Sequence, residues 1–86
     1  MSDNQPEIVL TLYTGVGCHL CDMARDILDA VLDESPRLVS YESVTITGDE
    51  TLMAVYGERI PVVRNLSGQE KAWPFTEGQI KRLLGL

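Results

Sequence analysis

Apolar residues fall along the chain in two rhythms. From Ile8 to Tyr13 they come at every second position and also between: Ile8, Leu10 and Leu12 alternate with Val9, Thr11 and Tyr13. A run apolar on both sides predicts a buried central strand. From Leu20 the period lengthens, and Leu20, Met23, Ala24, Ile27, Leu28, Val31 and Leu32 recur at helical spacing while Asp22, Arg25, Asp26, Asp29 and Asp33 take the other side. That pattern predicts a helix from about Cys18 to Asp33, stopped before Ser35-Pro36 because proline disfavours helix in the residue before it.

The rest of the chain continues the alternation of strand and helix. Leu38 to Ile46 is β-branched with a slip of phase between Val39/Tyr41 and Val44/Ile46, as a bulge or a late strand start would give. Thr47 and Glu50 stand at capping-box spacing ahead of Leu52, Met53 and Tyr56, and Gly57 is placed to end that helix in a left-handed cap. Ile60 to Arg64 predicts a strand opening on proline, Asn65 to Gly68 a turn, and Gln69 to Trp73 a returning strand ended by Pro74. Arg64 and Lys71 are expected to face each other or solvent across this hairpin. Thr76 and Gln79 match a second capping box, with Ile80, Leu83 and Leu84 facing inward from a last helix, and Trp73 is expected to cover the core edge near it. The order is β-α-β-α-β-β-α. Its first βαβ unit is parallel and its closing hairpin antiparallel, which makes an α/β fold with a four-stranded mixed sheet and the outer helices on one face.

Eighty-six residues make one domain, here residues 1–86 with 1–6 expected as a disordered tail. The composition, 44% hydrophobic and 23% charged, is that of an ordinary folded chain. A formal net charge of −6 argues against nucleic acid, whose phosphates are bound by basic patches, and its plainest meaning is solubility. The apolar runs are far shorter than the ~20 residues of a membrane span, and the start of the chain has no basic, then apolar, leader pattern. With two cysteines, too few for a secreted disulfide scaffold, the expectation is a reducing, cytoplasmic compartment, where a CxxC is more often catalytic or metal-binding than structural.

Both cysteines lie where the first strand turns through Gly15 and Gly17 into the first helix. Cys18 then falls at the helix N-terminus, where unpaired N–H groups and the positive end of the dipole favour a thiolate. Cys21 follows one turn later on the same side, within reach of a disulfide formed on Cys18. His19, the one histidine, either supports that thiolate by its partial positive charge or is a solvated first-turn residue. Asp22 is expected as a solvated helix residue; leaning toward the thiols, it would slow attack.

A strand, a CxxC opening a helix, and Ile60-Pro61 opening a hairpin strand about forty residues on are together similar to the thioredoxin fold. The small size resembles the glutaredoxins, and the Tyr13-Thr14 lead-in, Cys18-His19-Leu20-Cys21 and Tyr56-Gly57-Glu58-Arg59-Ile60-Pro61-Val62 resemble a compact subgroup of glutaredoxin-like proteins. The resemblance runs from about Ile8 to Leu84. It implies a thioredoxin-like fold, Cys18 as nucleophile, Cys21 as resolving thiol, and a cis Pro61. It also implies that the backbone of Ile60 docks a substrate chain like an added strand. The sequence departs from typical glutaredoxins as well. It has no lysine before the motif and His-Leu in place of Pro-Tyr. Ala72-Trp73-Pro74-Phe75 stands where a Gly-Gly pair is usual. Glu77 opens the last helix, where its charge opposes a glutathione carboxylate.

These residues give a thiol–disulfide oxidoreductase that needs no bound cofactor and takes glutathione or a thioredoxin-type partner as reductant. Its substrates would be disulfide-containing proteins or small thiols, and a monomer suffices. The candidate site is Cys18 and Cys21 for catalysis, His19 and Gly17 for tuning the thiolate, and Ile60, Pro61, Arg59 and Tyr13 around the substrate. Arg59 would hold an acidic group or glutathione, or form only a surface ion pair; Tyr13 is weighed as packing against chemistry. The rival is a non-enzymatic module that binds a metal or iron–sulfur cluster as a dimer, or that senses redox state or docks a partner. No residue is assigned to a metal, since one chain offers only Cys18, His19 and Cys21 as neighbours where zinc takes four ligands.

Overall fold

A computed structural model describes residues 6–85, so all but Pro6 of the expected tail lies outside the described residues. The elements are β1 (Glu7–Thr14), α1 (His19–Asp33), β2 (Val39–Thr45), α2 (Glu50–Tyr56), β3 (Val62–Asn65), β4 (Glu70–Ala72) and α3 (Glu77–Leu83). One sheet runs β2-β1-β3-β4, with β1 parallel to β2 and the other two pairs antiparallel. This is the thioredoxin-like arrangement, with β1 central as its two-sided apolar run requires.

The sheet has a different partner on each face. Leu10, Leu12 and Val63 turn to the side where Ala24, Leu28 and Val31 of α1 and Ile80 of α3 close the main core with Phe75. The opposite side carries a smaller cluster, in which Tyr56 packs with Ile46, Val62 and the half-buried Tyr13, Leu52 and Ile60. With seven residues, α2 covers only part of that face. The register sets Glu42, Thr11, Arg64 and Glu70 in one polar row across all four strands.

Several local expectations are corrected. The buried positions of α1 are Cys21, Ala24, Leu28 and Val31, whereas Leu20 and Met23 are 43% and 44% exposed. In the first turn the inward position belongs to Cys21, and the two large apolar residues flank it. The phase slip in β2 comes from β1: Ile8 pairs with Ser40 and Leu10 with Tyr41, leaving Val9 as the extra residue of a bulge. Asp49, not Thr47, caps α2 by accepting the Leu52 N–H at 3.0 Å. Gly57 is right-handed (φ −49°), yet a side chain is still barred there, because a Cβ would collide with the backbone carbonyl of Met53. Arg64 and Lys71 do not face each other, since Arg64 pairs across the hairpin with Glu70 and Lys71 with Val63; Arg64 is exposed, in keeping with the solvent alternative.

The chain end is held by two polar devices. Thr76 and Gln79 form the capping box of α3, and Trp73 packs on the main core in an edge-on contact with Phe75. At the hairpin turn, the Asn65 side chain accepts from the N–H groups of Ser67 and Gln69 and donates to the Leu83 carbonyl at 2.8 Å. Gly68, with φ +87°, supplies the left-handed residue the turn needs. Among the described residues, no helix is long and apolar enough to cross a membrane.

Candidate active site

Where β1 ends, Gly17 takes φ +71° and the chain turns into α1 with Cys18 at the N-cap. The Cys18 Sγ accepts the N–H of Cys21 at 3.2 Å, so the motif's first sulfur satisfies one of the helix's free donors. The two cysteines are joined as a disulfide with Cα atoms 5.3 Å apart. They differ sharply in access. Cys18 is half-buried, while Cys21 is 1% exposed and faces the core. An incoming reagent therefore meets Cys18 first.

The loop carrying Cys18 is held from two sides. The N–H of Ile46 donates to the Thr14 carbonyl at 2.8 Å, extending the β1–β2 ladder past its last pair. Beyond it the N–H of Val16 donates to Oγ1 of Thr47 at 3.1 Å. On the other side Gly15 lies against Ile60, whose Cδ1 would stand 2.7 Å from a Cβ at position 15. Pro61 is buried, and its peptide bond with Ile60 is cis, as is Trp73–Pro74. The Ile60 N–H donates to the Tyr56 carbonyl at 3.2 Å, and the Pro61 carbonyl accepts from Trp73 at 2.9 Å.

A cleft of about 380 Å³ opens beside Cys18, lined by Gly15, Gly17, His19, Asp22 and Arg25. His19 is exposed at its edge. Asp22 is turned to Arg25 in an ion pair of 2.8 Å. Val16, 80% exposed, and Leu20 add apolar surface at the same end. None of the candidate residues lines the larger cleft of about 520 Å³, which lies between the end of α1 and β2.

Tyr13 and Arg59 belong to a separate group on the α2 side of the sheet. The Tyr13 ring stacks on Tyr56 with centroids 4.2 Å apart, and the Tyr56 hydroxyl donates to the Glu70 carboxylate. Arg59 lies over the Tyr56 ring at 5.8 Å and 3.8 Å from Glu70. The bond to Glu70, and then burial, push the Tyr56 hydroxyl up to about 12. The guanidinium of Arg64 is raised as well, chiefly by the Tyr13 hydroxyl. Of the expected substrate residues, the fold brings Ile60 to the cysteine loop and ties Tyr13 and Arg59 to Tyr56.

The sequence from residue 9 to 85 matches the family described as the glutaredoxin-like domain (DUF836). The chain belongs to this family. Solved structures similar to this glutaredoxin-like domain include protein XcR50 from X. campestris. Its X-ray structure is 38% identical, with a TM-score of 0.74 over 88% of this chain and 95% of that one. Its solution structure aligns at 36% identity and a TM-score of 0.75, over 91% and 94%. The solution structure of protein Ne2328 from Nitrosomonas europaea is 25% identical, with a TM-score of 0.74 over 95% and 96%. No curated protein matches the chain.

Within this glutaredoxin-like domain, the sequence alone did not show the Thr47–Val16 bond, the Gly15–Ile60 contact or the Asp22–Arg25 pair. The pair could have been read from its i, i+3 spacing. Thr47 could not, because its partner is 31 residues away. Gly15 was legible as a turn residue but not as one pressed against Ile60.

Proposed function

We propose that the protein is a thiol–disulfide oxidoreductase working through Cys18 and Cys21. The observation that carries this reading is the asymmetry of the pair: an accessible sulfur at the N-cap of a 15-residue helix, bonded to a buried one a turn away. At that position the helix terminus favours the thiolate, the attacking form of cysteine.

In the reductive direction the Cys18 thiolate attacks one sulfur of a substrate disulfide. That bond breaks, the leaving thiolate takes up a proton, and Cys18 is held in a mixed disulfide. Cys21, giving up its proton, attacks Sγ of Cys18 and releases the second substrate sulfur as a thiol. Two electrons have passed to the substrate, and the protein is left with Cys18–Cys21 oxidised. Two thiols of the reductant, glutathione or a thioredoxin-type dithiol, restore it, and no bound cofactor takes part. Substrate docking at Ile60 would use its carbonyl, since its N–H is committed to Tyr56. The first turn of α3 carries Glu77 and its cap is already filled by Thr76, which favours a reductant that does not place a carboxylate there. The protein would act as a monomer in a reducing, cytoplasmic compartment, on disulfide-containing proteins or small thiols.

Equilibration in glutathione buffers of stepped potential, with free thiols counted by mass after alkylation, tests the reading. Reversible loss of two thiols at a midpoint within roughly −180 to −270 mV is expected. Absence of a disulfide throughout would remove it in favour of the metal-binding or docking module.

A further inference from the structure

Thr47 lies outside the motif and is joined to the segment that carries its first cysteine. We propose that Thr47 is a positioning residue for Cys18, setting the redox poise of the pair through the backbone of Val16. The inference rests on the oxidoreductase reading and deepens it.

Between Gly15, which lies against Ile60, and Cys18 the chain has little to hold it by packing. The Val16 side chain is 80% exposed, and the space where Gly17 would carry a Cβ is empty within 4 Å. The β1–β2 ladder ends with Ile46 donating to Thr14, and there the two backbones part. Thr47 supplies the next rung with its side chain, at 3.1 Å from the Val16 nitrogen. The Thr47 side chain is thus turned to the cysteine loop, while Asp49 caps α2 beyond Gly48, whose φ of +91° keeps it out of the helix.

The two redox states depend on this rung unequally. In the disulfide form a covalent bond holds Cys18 to Cys21, and the segment is fixed whether or not the rung is made. In the dithiol form that restraint is gone, and the rung keeps Cys18 over the helix terminus and within reach of Cys21. The ease with which two thiols close is set by their effective concentration in the reduced protein. Without the Thr47 oxygen, the reduced segment gains freedom, the dithiol is favoured, and the disulfide becomes easier to reduce. The Cys18 thiolate, less often seated at the N-cap, is less favoured, which offsets part of this shift without reversing it.

Thr47 is exposed, so T47V removes the acceptor without opening the core. A solvent-exposed hydrogen bond is of modest net worth, and its loss shifts the dithiol–disulfide equilibrium about threefold toward the dithiol. For a two-electron couple that is about 14 mV less negative. T47S, which keeps the oxygen, titrates with the wild type. The pH profile of Cys18 alkylation in the reduced protein moves upward in T47V and stays in place in T47S. Coincidence of T47V with the wild type overturns the inference. A shift in T47S as large as that in T47V also overturns it, since shape and not the oxygen would then be responsible. If the wild type itself forms no reversible disulfide, the oxidoreductase reading falls and this inference with it.

Discussion

Gly15 and Ile60 meet so closely that a methyl group on Gly15 would stand 2.7 Å from the Ile60 Cδ1. The contact brings the loop that presents Cys18 against the residue that precedes Pro61, two segments far apart in the chain. The obstructing atom is the tip of a flexible side chain, so G15A forces a rearrangement but leaves the fold intact, at about 1 kcal/mol. I60V removes the tip itself. In urea unfolding, the cost of G15A is expected to fall close to zero in the I60V background, a coupling of about 1 kcal/mol. Additive costs would mean that the two residues do not press on one another.

Gly57 presents the opposite case. The group a Cβ would meet is the Met53 carbonyl, which is backbone and cannot swing aside. Replacing a right-handed glycine by alanine ordinarily stabilises a protein by restricting the unfolded chain. Here the collision is expected to reverse the sign, with G57A destabilising by about 2 kcal/mol in thermal or urea unfolding. A stabilised G57A would show that the end of α2 relaxes freely.

Cys18 is both the proposed attacking sulfur and a helix cap, and substitution can separate the two roles. In the reduced protein, C18S retains a capping oxygen and is expected to unfold with the wild type. C18A loses the cap and about 0.5 kcal/mol. Both lack disulfide reductase activity. C21S keeps the half-buried, more accessible sulfur and is expected to accumulate a mixed disulfide, visible as added mass, because the buried resolving thiol is gone. Accumulation on C18S in place of C21S would reverse the assigned roles.

The hydroxyl of Tyr56 makes a prediction at the alkaline end. Its value is raised from the ordinary 10 to about 12, first by the hydrogen bond to Glu70 and then by burial. A raised tyrosine means that the folded state holds the proton more tightly than the unfolded chain. The associated stability is fully present below about pH 10 and is lost as the pH climbs toward about 12. Ultraviolet titration should find this late tyrosine, and E70Q, which removes the charge but leaves an acceptor, should bring it back toward 10.

The legible parts of this protein were those written in local rhythm. The alternation before Tyr13, the helical spacing after Leu20 and the Thr76–Gln79 pair each specify their element without outside help. The positions that misled were those with two compatible local uses. Thr47-Gly48-Asp49-Glu50 contains two residues of capping type; Asp49 caps α2, while Thr47 bonds to Val16, 31 residues away in the chain. Leu20 and Met23 obey the helical period, but the inward place in that turn is taken by Cys21. Of the site, the cysteines and Ile60-Pro61 were visible as a motif. The supports of the Cys18 loop were not, because a clamp made by Thr47 and Ile60 exists only after the sheet has formed. The Tyr56–Glu70 bond likewise waits for the hairpin to fold back.

The Asn65 side chain has a consequence for how the molecule divides its labour. It gathers the hairpin turn and the end of α3 at the end of the sheet opposite to Cys18, since Asn65 sits beside Leu10 while Thr14 leads to the cysteines. Several hydrogen bonds converge there on one amide, whereas the side-chain ties at the cysteine end are a disulfide, which reduction removes, and the rung from Thr47. In the reduced protein, amide hydrogen exchange is therefore expected to be slower at Ser67 and Gln69 than at Val16. The ties at the Asn65 end are the same in either redox state, while one tie at the cysteine end exists in only one of them.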